Sequence, residues 1–304
     1  MKKKAYIFGR TGQLGKCLLE TKPEDFEVLD VKNLCLTTRL SIMQDILDKK
    51  PDVVINAAAS NSVDSIEDSI EYALLVNGVA PVSMYTVCKN MVGTMFVHVS
   101  SDFVFGGGCN YKKKTFTEED SQYPENMYGF TKHVSDWIFT YLSRHDKFNN
   151  ALMLRTSWLF SEFNDNFLTK MIRKLEDDRE VYGADDVHGS PTYARDLAEV
   201  VWRLVSEKVS GVFNVANSGC VSGDSNAVSK YDFINEIAKA CRLNVKLTKK
   251  SVNEMNLKAK RSVSTALLCD KYNDRFGKLR DWKDALNGAV KRFKDQTPCD
   301  SGLR

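Results

Sequence analysis

Two side chains four residues apart, Tyr128 and Lys132, have the types and the spacing that proton transfer to an oxygen atom requires. On a helix, residues four apart lie on the same face. The ammonium of Lys132 is then expected to lower the pKa of the Tyr128 phenol, so that the hydroxyl gives a proton to a developing alkoxide near neutral pH. The hydroxyl of Ser101 would bind the same oxygen. This set predicts redox chemistry between a carbonyl and an alcohol.

The spacing alone is weakly specific, because Tyr-x-x-x-Lys occurs by chance in roughly one of every two chains of this length. A second copy is present at Tyr85 and Lys89, at the end of the predicted helix that leads into the strand Met95–Ser101. Tyr128 and Lys132 instead begin a helix whose approach loop leaves the carboxyl end of that strand. Open parallel sheets bind ligands beyond the carboxyl ends of their strands. We therefore assign the chemistry to the second pair and interpret the first pair as packing and surface.

A glycine-rich loop follows the first predicted strand and opens a predicted helix. Glycines there permit a tight turn and let a pyrophosphate approach the backbone, while the helix N-terminus supplies amide donors. The spacing is G-x-x-G-x-x-G, a variant of the commoner G-x-G-x-x-G, and it predicts a dinucleotide site rather than a glycine turn without a ligand. The loop consists of Gly9, Arg10, Thr11, Gly12, Gln13, Leu14 and Gly15.

Charged residues near this loop bear on which nicotinamide cofactor binds. Asp30 ends the second predicted strand, where a carboxylate would accept hydrogen bonds from the adenosine ribose hydroxyls. Arg10, Lys32 and Arg39 are candidates to hold a 2′-phosphate. The cofactor is thus predicted to be NADPH or NADH, and Arg10 favours NADPH. Small side chains that end the third predicted strand suit either a backbone packed on the cofactor or a plain buried strand end: Ala57, Ala58 and Ala59.

Short apolar runs alternate with longer amphipathic stretches, which predicts strands separated by helices and a parallel sheet covered on both faces. The predicted fold is α/β, a Rossmann-type doubly wound parallel sheet with a smaller C-terminal α/β substrate lobe. Residues 1–157 are predicted to form the NAD(P)-binding domain, onto which a helix at about 192–206 packs back, and residues 158–304 mainly the substrate lobe. The predicted strands are Ala5–Phe8, Phe26–Asp30, Val53–Ala58, Met95–Ser101, Ala151–Arg155 and Gly211–Ala216. The predicted helices are Gln13–Glu20, Ser41–Lys49, Ser69–Lys89, Met127–Leu142, Asn164–Glu176, Tyr193–Val205, Lys230–Cys241 and Trp282–Phe293, and Asn217–Ser229 is predicted to be a polar loop.

Composition narrows the class of protein. The chain has 304 residues, 43% of them hydrophobic and 27% charged, with a net charge of only +3, so neither nucleic-acid nor membrane binding is expected. Its eight cysteines are scattered from Cys17 to Cys299, with no C-x-x-C pair and no His/Cys cluster of zinc spacing. The histidines (His98, His133, His145 and His188) likewise have no metal spacing. We expect no metal, reduced thiols and a cytoplasmic location.

Several stretches, in order and spacing, resemble the extended short-chain dehydrogenases/reductases, and most closely the dTDP-4-dehydrorhamnose reductase family. The resemblance covers nearly the whole chain, and the motifs are specific as a set. The matching stretches are GRTGQLG, DVVINAAASNSVDSIE, FVHVSSDFVFGG, MYGFTKHVSD, LRTSWLF and VHGSPTYARDLA, with a weaker match at RSVSTALLCDKYNDRFG and LRDWKDAL.

The resemblance implies a reaction and a division of roles. Ser101, Tyr128 and Lys132 would be the catalytic trio, with Tyr128 protonating the C4 carbonyl oxygen of a nucleotide-linked 4-keto-6-deoxy sugar as hydride arrives. Lys132 would also hold the nicotinamide ribose, and a homodimer is implied. The His188–Thr192 stretch would border the sugar-nucleotide cleft. The residues implied to contact or border the substrate are Val63, Asp64, Ser101, Asp102, Phe103, Tyr128 and Trp158, of which Trp158 would also serve as ordinary core packing.

The sequence departs from the family pattern at several places. Phe103 stands where the family usually has Tyr, which removes one substrate hydrogen bond, and His188 replaces a common Tyr. Cys17 stands where some members place a Glu that helps to bind magnesium between subunits, so that metal site is not carried over. The Asn217–Ser229 segment is longer than is typical, in the part that selects the substrate. These changes leave the chemistry intact and the sugar open.

Two other functions fit the same motifs. A sugar-nucleotide epimerase or dehydratase uses the same trio with a cofactor that stays bound through turnover. A non-catalytic regulatory subunit, similar to the β subunit of methionine adenosyltransferase, would keep the fold without the reaction. The intact trio of Ser101, Tyr128 and Lys132 favours an enzyme.

Overall fold

A six-stranded, wholly parallel sheet forms the centre of the first lobe in the computed structural model, which describes residues 1–30, 35–108, 115–145, 150–222 and 226–296. The strands are β1 (Lys3–Phe8), β2 (Phe26–Val28), β3 (Val53–Asn56), β4 (Met95–Ser101), β5 (Ala151–Thr156) and β6 (Gly211–Asn214). Their order in the sheet is β2-β1-β3-β4-β5-β6. Every residue of β3 and β5 is buried, as expected for strands covered by helices on both faces.

The order of the strands fixes where a ligand can bind. The chain passes from β1 to β2 on one side and then crosses to β3 on the other side of β1. Connections that leave β1 and β3 therefore diverge, which opens a crevice at their carboxyl ends. Gly9 follows β1 and Ala57 follows β3, so both lie at this crevice. The predicted fold class is confirmed.

Helices pack on both faces of the sheet around two apolar cores. Successive residues of β1 point to opposite faces, so Ile7 enters one core and Tyr6 the other. The first core lies under Gln13–Glu20 and Ala194–Ser206, and the indole of Trp202 donates to the Leu18 carbonyl at 3.0 Å. The α-helices are Gln13–Glu20, Arg39–Lys49, Val63–Ile66, Glu71–Ala73, Ala80–Cys88, Met127–Arg144, Phe167–Asp177, Ala194–Ser206, Lys230–Cys241, Asp270–Phe276 and Trp282–Gln296.

The predicted helix Ser69–Lys89 is not a regular α-helix. Its middle turn, Leu74–Val79, is π-helical. Pro81 has no N–H to donate to the carbonyl four residues earlier. That carbonyl belongs to Asn77 and accepts instead from the Ser135 hydroxyl at 2.8 Å. The wide turn thus ties this helix to the helix that carries Tyr128.

Several predicted bounds were wrong where a strand meets the crevice. β2 ends at Val28 rather than Asp30, and β3 ends at Asn56 rather than Ala58. The small residues that follow β3 line the crevice and do not extend the strand. The Asn56 side chain accepts a hydrogen bond from the Ala58 amide at 3.2 Å. Strand pairing therefore ends earlier than apolar composition suggests.

The second lobe has its own core, built on Phe167–Asp177, Lys230–Cys241 and Trp282–Gln296. The strands Glu180–Ala184 and Lys246–Lys250 pair in parallel on this lobe, and the sequence analysis did not predict them. Because β6 lies in the central sheet, the chain returns to the first lobe after residue 158. The division at residue 157 stays a prediction.

The Asn217–Ser229 segment was wrongly predicted to be a loop throughout. Val221–Ser222 and Asn226–Ser229 are antiparallel strands, and the second also pairs with His188–Gly189. Residues 223–225, between the two strands, lie outside the described residues, as does Lys32. Over the ranges that the structure describes, no helix is long and apolar enough to span a bilayer.

Candidate active site

A cleft of about 550 Å³ opens at the carboxyl edge of the sheet. It brings the glycine loop at one end together with Ser101, Tyr128 and Lys132 at the other. The cofactor candidates that line it are Gly9, Thr11, Gly12, Gln13, Leu14, Ala57, Ala58 and Ala59, and the substrate candidates that line it are Val63, Ser101, Asp102, Phe103, Tyr128 and Trp158. Arg10, Gly15, Asp30 and Asp64 do not line it.

The first turn of its helix directs Tyr128 into the cleft. Asn126 caps the helix Met127–Arg144, and its side-chain oxygen accepts from the Gly129 amide at 2.8 Å. Ser101 ends β4, where its Oγ accepts from the Phe103 amide at 3.2 Å. The Ser101 side chain lies close enough to the Tyr128 phenol to lower its pKa. Two hydroxyls are thus held together at the place where a substrate oxygen would bind.

The pKa of Tyr128 is raised to about 12, not lowered as the sequence analysis expected. Burial is the largest cause, and the hydrogen bond with Ser101 opposes it. The Asp102 charge raises the pKa further, and Lys132 is not among its causes. The phenol is therefore neutral at physiological pH, which is the form that can give a proton away.

Lys132 lies one helical turn beyond Tyr128, at the floor of the cleft. Its ammonium donates to the Val99 carbonyl at 2.8 Å. Burial lowers the pKa of Lys132 to about 8, and the carboxylate of Asp136 opposes that shift. The ammonium is charged at neutral pH and loses its charge in mildly alkaline solution.

The glycine loop is shaped for close approach to the strand ends. Gly9 has a φ of +81°, and a Cβ there would lie 2.6 Å from the Ala58 amide nitrogen. Only glycine fits, and the amides that begin the helix Gln13–Glu20 are left facing the cleft. These residues fit the pyrophosphate of a dinucleotide. Beside the loop, Arg10 forms an ion pair with the exposed Asp30 at 3.2 Å.

Trp158 has a strained backbone, with a φ of +42°. A Cβ on Gly189 would lie 2.3 Å from Cε2 of its indole, so the glycine makes room for the ring. The Phe103 and Tyr128 rings, which also line the cleft, pack edge to face with centroids 5.4 Å apart. Aromatic rings therefore form part of the wall beside Tyr128.

Asp102 points into the protein rather than into open cleft. Its Oδ2 accepts from the Ser157 hydroxyl at 2.7 Å and from the Thr265 hydroxyl at 2.5 Å, and its Oδ1 accepts from Ser101 at 3.1 Å. Burial raises the pKa of this carboxyl, while these hydrogen bonds oppose the rise. The arrangement suits a residue that positions the Ser101 hydroxyl and joins the two lobes.

A basic segment of the second lobe, Lys258–Arg261, crosses to acidic residues of the first lobe. Arg261 pairs with Asp64 at 2.9 Å, and the Ala259 amide donates to the same carboxylate at 2.9 Å. Lys258 pairs with Asp68, and Lys260 pairs with Glu125 at 2.6 Å. Asp64 is thus engaged beside the cleft rather than in it.

Three features of the site were missed from sequence. Asn77 joins the Ser60 backbone to the helix Met127–Arg144, with Oδ1 accepting from the Ser60 amide at 2.9 Å and Nδ2 donating to Thr131 at 3.0 Å. Lys230 projects into the cleft from the second lobe. The segment Lys258–Arg261 is the third. Pro81 within an apolar predicted helix indicated an irregular turn near Asn77. Nothing in the local sequence indicated that Lys230 lies at the cleft.

Other candidate residues lie outside the cleft. Tyr85 is buried in the second core, between the rings of Phe96 and Phe139. His98 is buried and is hydrogen-bonded to Asn56, and Cys17 is fully buried. Across the described ranges, no group of three His, Cys, Asp or Glu residues is arranged to hold a metal ion. The absence of a metal stays a prediction.

The parallel sheet, the glycine loop and the adjoining Ser, Tyr and Lys define the class as an extended short-chain dehydrogenase/reductase. A family model described as the RmlD substrate binding domain matches residues 3–295. The chain belongs to this RmlD family, and the predicted family is confirmed.

Named relatives lie at moderate identity over most of the chain. A dTDP-4-dehydrorhamnose reductase from Aggregatibacter actinomycetemcomitans is 32% identical over 296 residues, covering 92% of this chain and 96% of that protein. The spore coat polysaccharide biosynthesis protein SpsK of Bacillus subtilis is 29% identical over 93% of this chain and 95% of that protein. The crystal structure of a dTDP-4-dehydrorhamnose reductase from Bacillus anthracis in complex with NADP has a TM-score of 0.84 at 25% identity, covering 96% of this chain and all of that one.

Proposed function

We propose that the protein is an NADPH-dependent reductase that converts the C4 carbonyl of a nucleotide-linked 4-keto-6-deoxy sugar to an alcohol. One observation carries the proposal: Tyr128 and Ser101 line the same cleft as the glycine loop. The names of the relatives support the substrate class, and SpsK supports a role in making a surface polysaccharide.

The cofactor is held by the edge of the sheet in this proposal. The amides after Gly12 would receive the pyrophosphate, and Ala57, Ala58 and Ala59 would pack beside it. When bound, the nicotinamide supplies the hydride that the carbonyl carbon receives. Lys132, fixed through the Val99 carbonyl, would hold the nicotinamide ribose.

The chain itself supplies the proton. The Ser101 hydroxyl, which donates to Asp102 in this structure, would turn to donate to the carbonyl oxygen, which polarises the carbonyl toward hydride. Tyr128, neutral because its pKa is raised to about 12, would transfer its proton to the oxygen as negative charge develops there. One hydride at carbon and one proton at oxygen complete the alcohol. The Lys132 ammonium would stabilise the phenolate that remains.

Arg10 supports NADPH over NADH. Its guanidinium is partly exposed at the rim of the glycine loop and faces Asp30. A 2′-phosphate on the adenosine ribose would compete with the Asp30 carboxylate for this cation. The bound NADP of the Bacillus anthracis relative is consistent with that preference.

The proposal also includes a cytoplasmic location and the homodimer that the family resemblance implies. Sedimentation tests the oligomeric state.

The test follows NADPH and NADH absorbance with a panel of nucleotide-linked 4-keto-6-deoxy sugars. We expect net oxidation with one member of the panel, and faster oxidation of NADPH than of NADH. A folded protein that binds NADPH but oxidises it with no member of the panel would contradict the proposal. NAD that stays with the purified protein through turnover, with no net oxidation, would favour an epimerase or dehydratase instead.

A further inference from the structure

Lys230 is a lysine of the second lobe whose ammonium is held by aromatic rings at the cleft. It is the first residue of the helix Lys230–Cys241. Its Nζ lies 3.4 Å from the ring centroid of Trp158 and 4.2 Å from that of Phe167. Aromatic faces attract a cation through their quadrupole. The rings thus fix the charge in place without neutralising it.

The ammonium has no hydrogen bond or ion pair with any residue that the structure describes. The nearest charged groups that act on it are Asp102 and Arg261. Both are committed elsewhere, because Asp102 accepts from three hydroxyls and Arg261 is paired with Asp64. Burial lowers the pKa of Lys230 to about 7, which is the cost of holding this charge without a partner.

The position of Lys230 is a junction between two cavities. It lines the catalytic cleft and also an adjoining cavity of about 420 Å³ in the second lobe. Arg261 lines the adjoining cavity as well, and the cavity is mostly apolar. Its apolar lining includes Phe167, Met171, Ile234, Met255 and Leu257.

The parts of a nucleotide sugar follow the same order as the catalytic cleft, Lys230 and the adjoining apolar cavity. Its sugar is joined through a diphosphate to a nucleoside, so the negative charge lies between two largely uncharged ends. With the sugar carbonyl at Tyr128 and the base in the apolar cavity, the diphosphate would cross the junction. The charged phosphoryl oxygens would then meet a cation that the protein leaves without a partner.

We propose that Lys230 is the residue that binds the diphosphate of the substrate, and that its charge selects nucleotide-linked sugars over free sugars. The inference rests on the proposed function, because it places the sugar at Tyr128. It assigns Lys230 to substrate binding and not to the chemical step.

The experiment compares the wild-type protein with three variants, all saturated with NADP⁺ so that the glycine loop is filled. Lys230→Met keeps the length and the apolar stem but removes the charge, and Lys230→Arg keeps the charge. Lys239→Met is the matched control, since Lys239 lies on the same helix and pairs with Glu236 on the surface. Calorimetry measures binding of inorganic pyrophosphate, dTDP and the uncharged nucleoside thymidine.

We expect Lys230→Met to weaken dTDP and pyrophosphate binding about tenfold or more, the size of a lost charge-assisted contact, and to leave thymidine binding unchanged. Lys239→Met should bind all three as the wild type does. Wild-type affinity for dTDP should fall more steeply than that of Lys230→Arg from about pH 6 to about pH 8.5, because only the lysine loses its charge there. The arginine variant corrects for titration of the nucleotide itself.

Wild-type affinity for dTDP and pyrophosphate in Lys230→Met would overturn the inference, even if the enzyme reduces a keto sugar. Equal weakening of dTDP and thymidine would also overturn it, since the lysine would then only shape the cavity. If dTDP binding depends on Lys230 but no sugar of the panel is reduced, the proposed reaction fails and the diphosphate site stands. Binding of neither dTDP nor pyrophosphate to the wild type would overturn the inference, while the panel of keto sugars decides the proposed reaction separately.

Discussion

Arg155 and Lys230 both place a positive charge inside the protein, but their surroundings are opposite. Arg155 is fully buried, donates to the Asp136 carboxylate at 2.6 Å and to Thr140 at 2.7 Å, and its Nη1 donates to the Glu118 carbonyl at 3.2 Å. The ammonium of Lys230 lies against aromatic rings and has no hydrogen bond or ion pair within the described parts of the chain. Arg155 lies on β5 of the central sheet, whereas Lys230 lines the cleft.

The difference separates charges that serve the fold from charges that await a ligand. A buried ion pair that is held by additional hydrogen bonds specifies one arrangement of the elements that carry it. Here that pair joins β5 to the catalytic helix. A cation without a partner costs folding free energy and is useful only when a ligand supplies the missing charge. The predictions below test this distinction, beginning with the reacting hydroxyl.

The largest effect is expected for Tyr128→Phe. Turnover should fall by about 10²–10⁴-fold, because the proton donor is lost while the apolar wall remains. NADPH binding should be unchanged. Steady-state NADPH oxidation and fluorescence titration measure the two quantities.

Tyr85→Phe is the matched control, since Tyr85 belongs to the other Tyr-x-x-x-Lys pair and is packed in the core. Its turnover should equal that of the wild type. A Tyr128→Phe variant that keeps full turnover would exclude this residue as the proton donor and favour another function for the fold.

The next effect concerns the fully paired charge. Arg155→Met should destabilise the protein by about 3–5 kcal/mol in urea unfolding, because it leaves the Asp136 carboxylate buried without its cation. Lys230→Met should cost little or increase stability, because it removes an unpartnered charge from the cleft wall. Equal losses of unfolding free energy in the two variants would show that the paired and the unpaired charge contribute equally to stability.

A pH dependence follows from Lys132. Its pKa is lowered to about 8, so the ammonium is charged below that pH and neutral above it. We expect kcat/KM to be retained near neutral pH and to fall as pH rises through about 8, since this parameter reports groups of the free enzyme. The profile should be measured in Lys230→Arg as well, which removes the lysine whose pKa is about 7. A flat profile to about pH 10 in that variant would contradict the assignment to Lys132.

The smallest effect is expected at the rim, where Asp64 pairs with Arg261 in partly exposed surroundings. Asp64→Asn should change the free energy of unfolding by less than about 1 kcal/mol, because solvent screens such pairs. Urea unfolding of Asp64→Asn and Arg155→Met, measured in parallel, compares the loss of a partly exposed ion pair with the loss of a buried one. A loss as large as that of Arg155→Met would mean that the segment Lys258–Arg261 is essential to the fold.

Sequence reasoning could place residues whose position follows from local order along the chain. The glycine loop could be placed because a strand, a turn and a helix succeed one another within residues 5–20. Tyr128 could be chosen over Tyr85 because strand direction decides which helix end lies at the carboxyl edge. Both inferences need only chain order and the geometry of parallel sheets.

What sequence reasoning missed depends on contacts between distant segments. Lys230 reads as an ordinary first residue of a capped helix, and only the packing of Trp158 and Phe167 shows that its charge faces the cleft. The direction of the Tyr128 pKa shift was wrong for the same reason, because burial by surrounding residues outweighs one neighbour on the helix. Two of the partners of Asp102, Ser157 and Thr265, come from distant segments and could not be deduced from its place after Ser101.

The central claim is tested by a transfer experiment with NADPH that carries deuterium in place of both hydrogens at the reactive carbon of the nicotinamide. We expect one deuterium at C4 of the sugar product per NADPH consumed, at a rate that falls by about 10²–10⁴-fold in Tyr128→Phe. Deuterium at another carbon, or a transfer rate that is unchanged in Tyr128→Phe, would contradict the account.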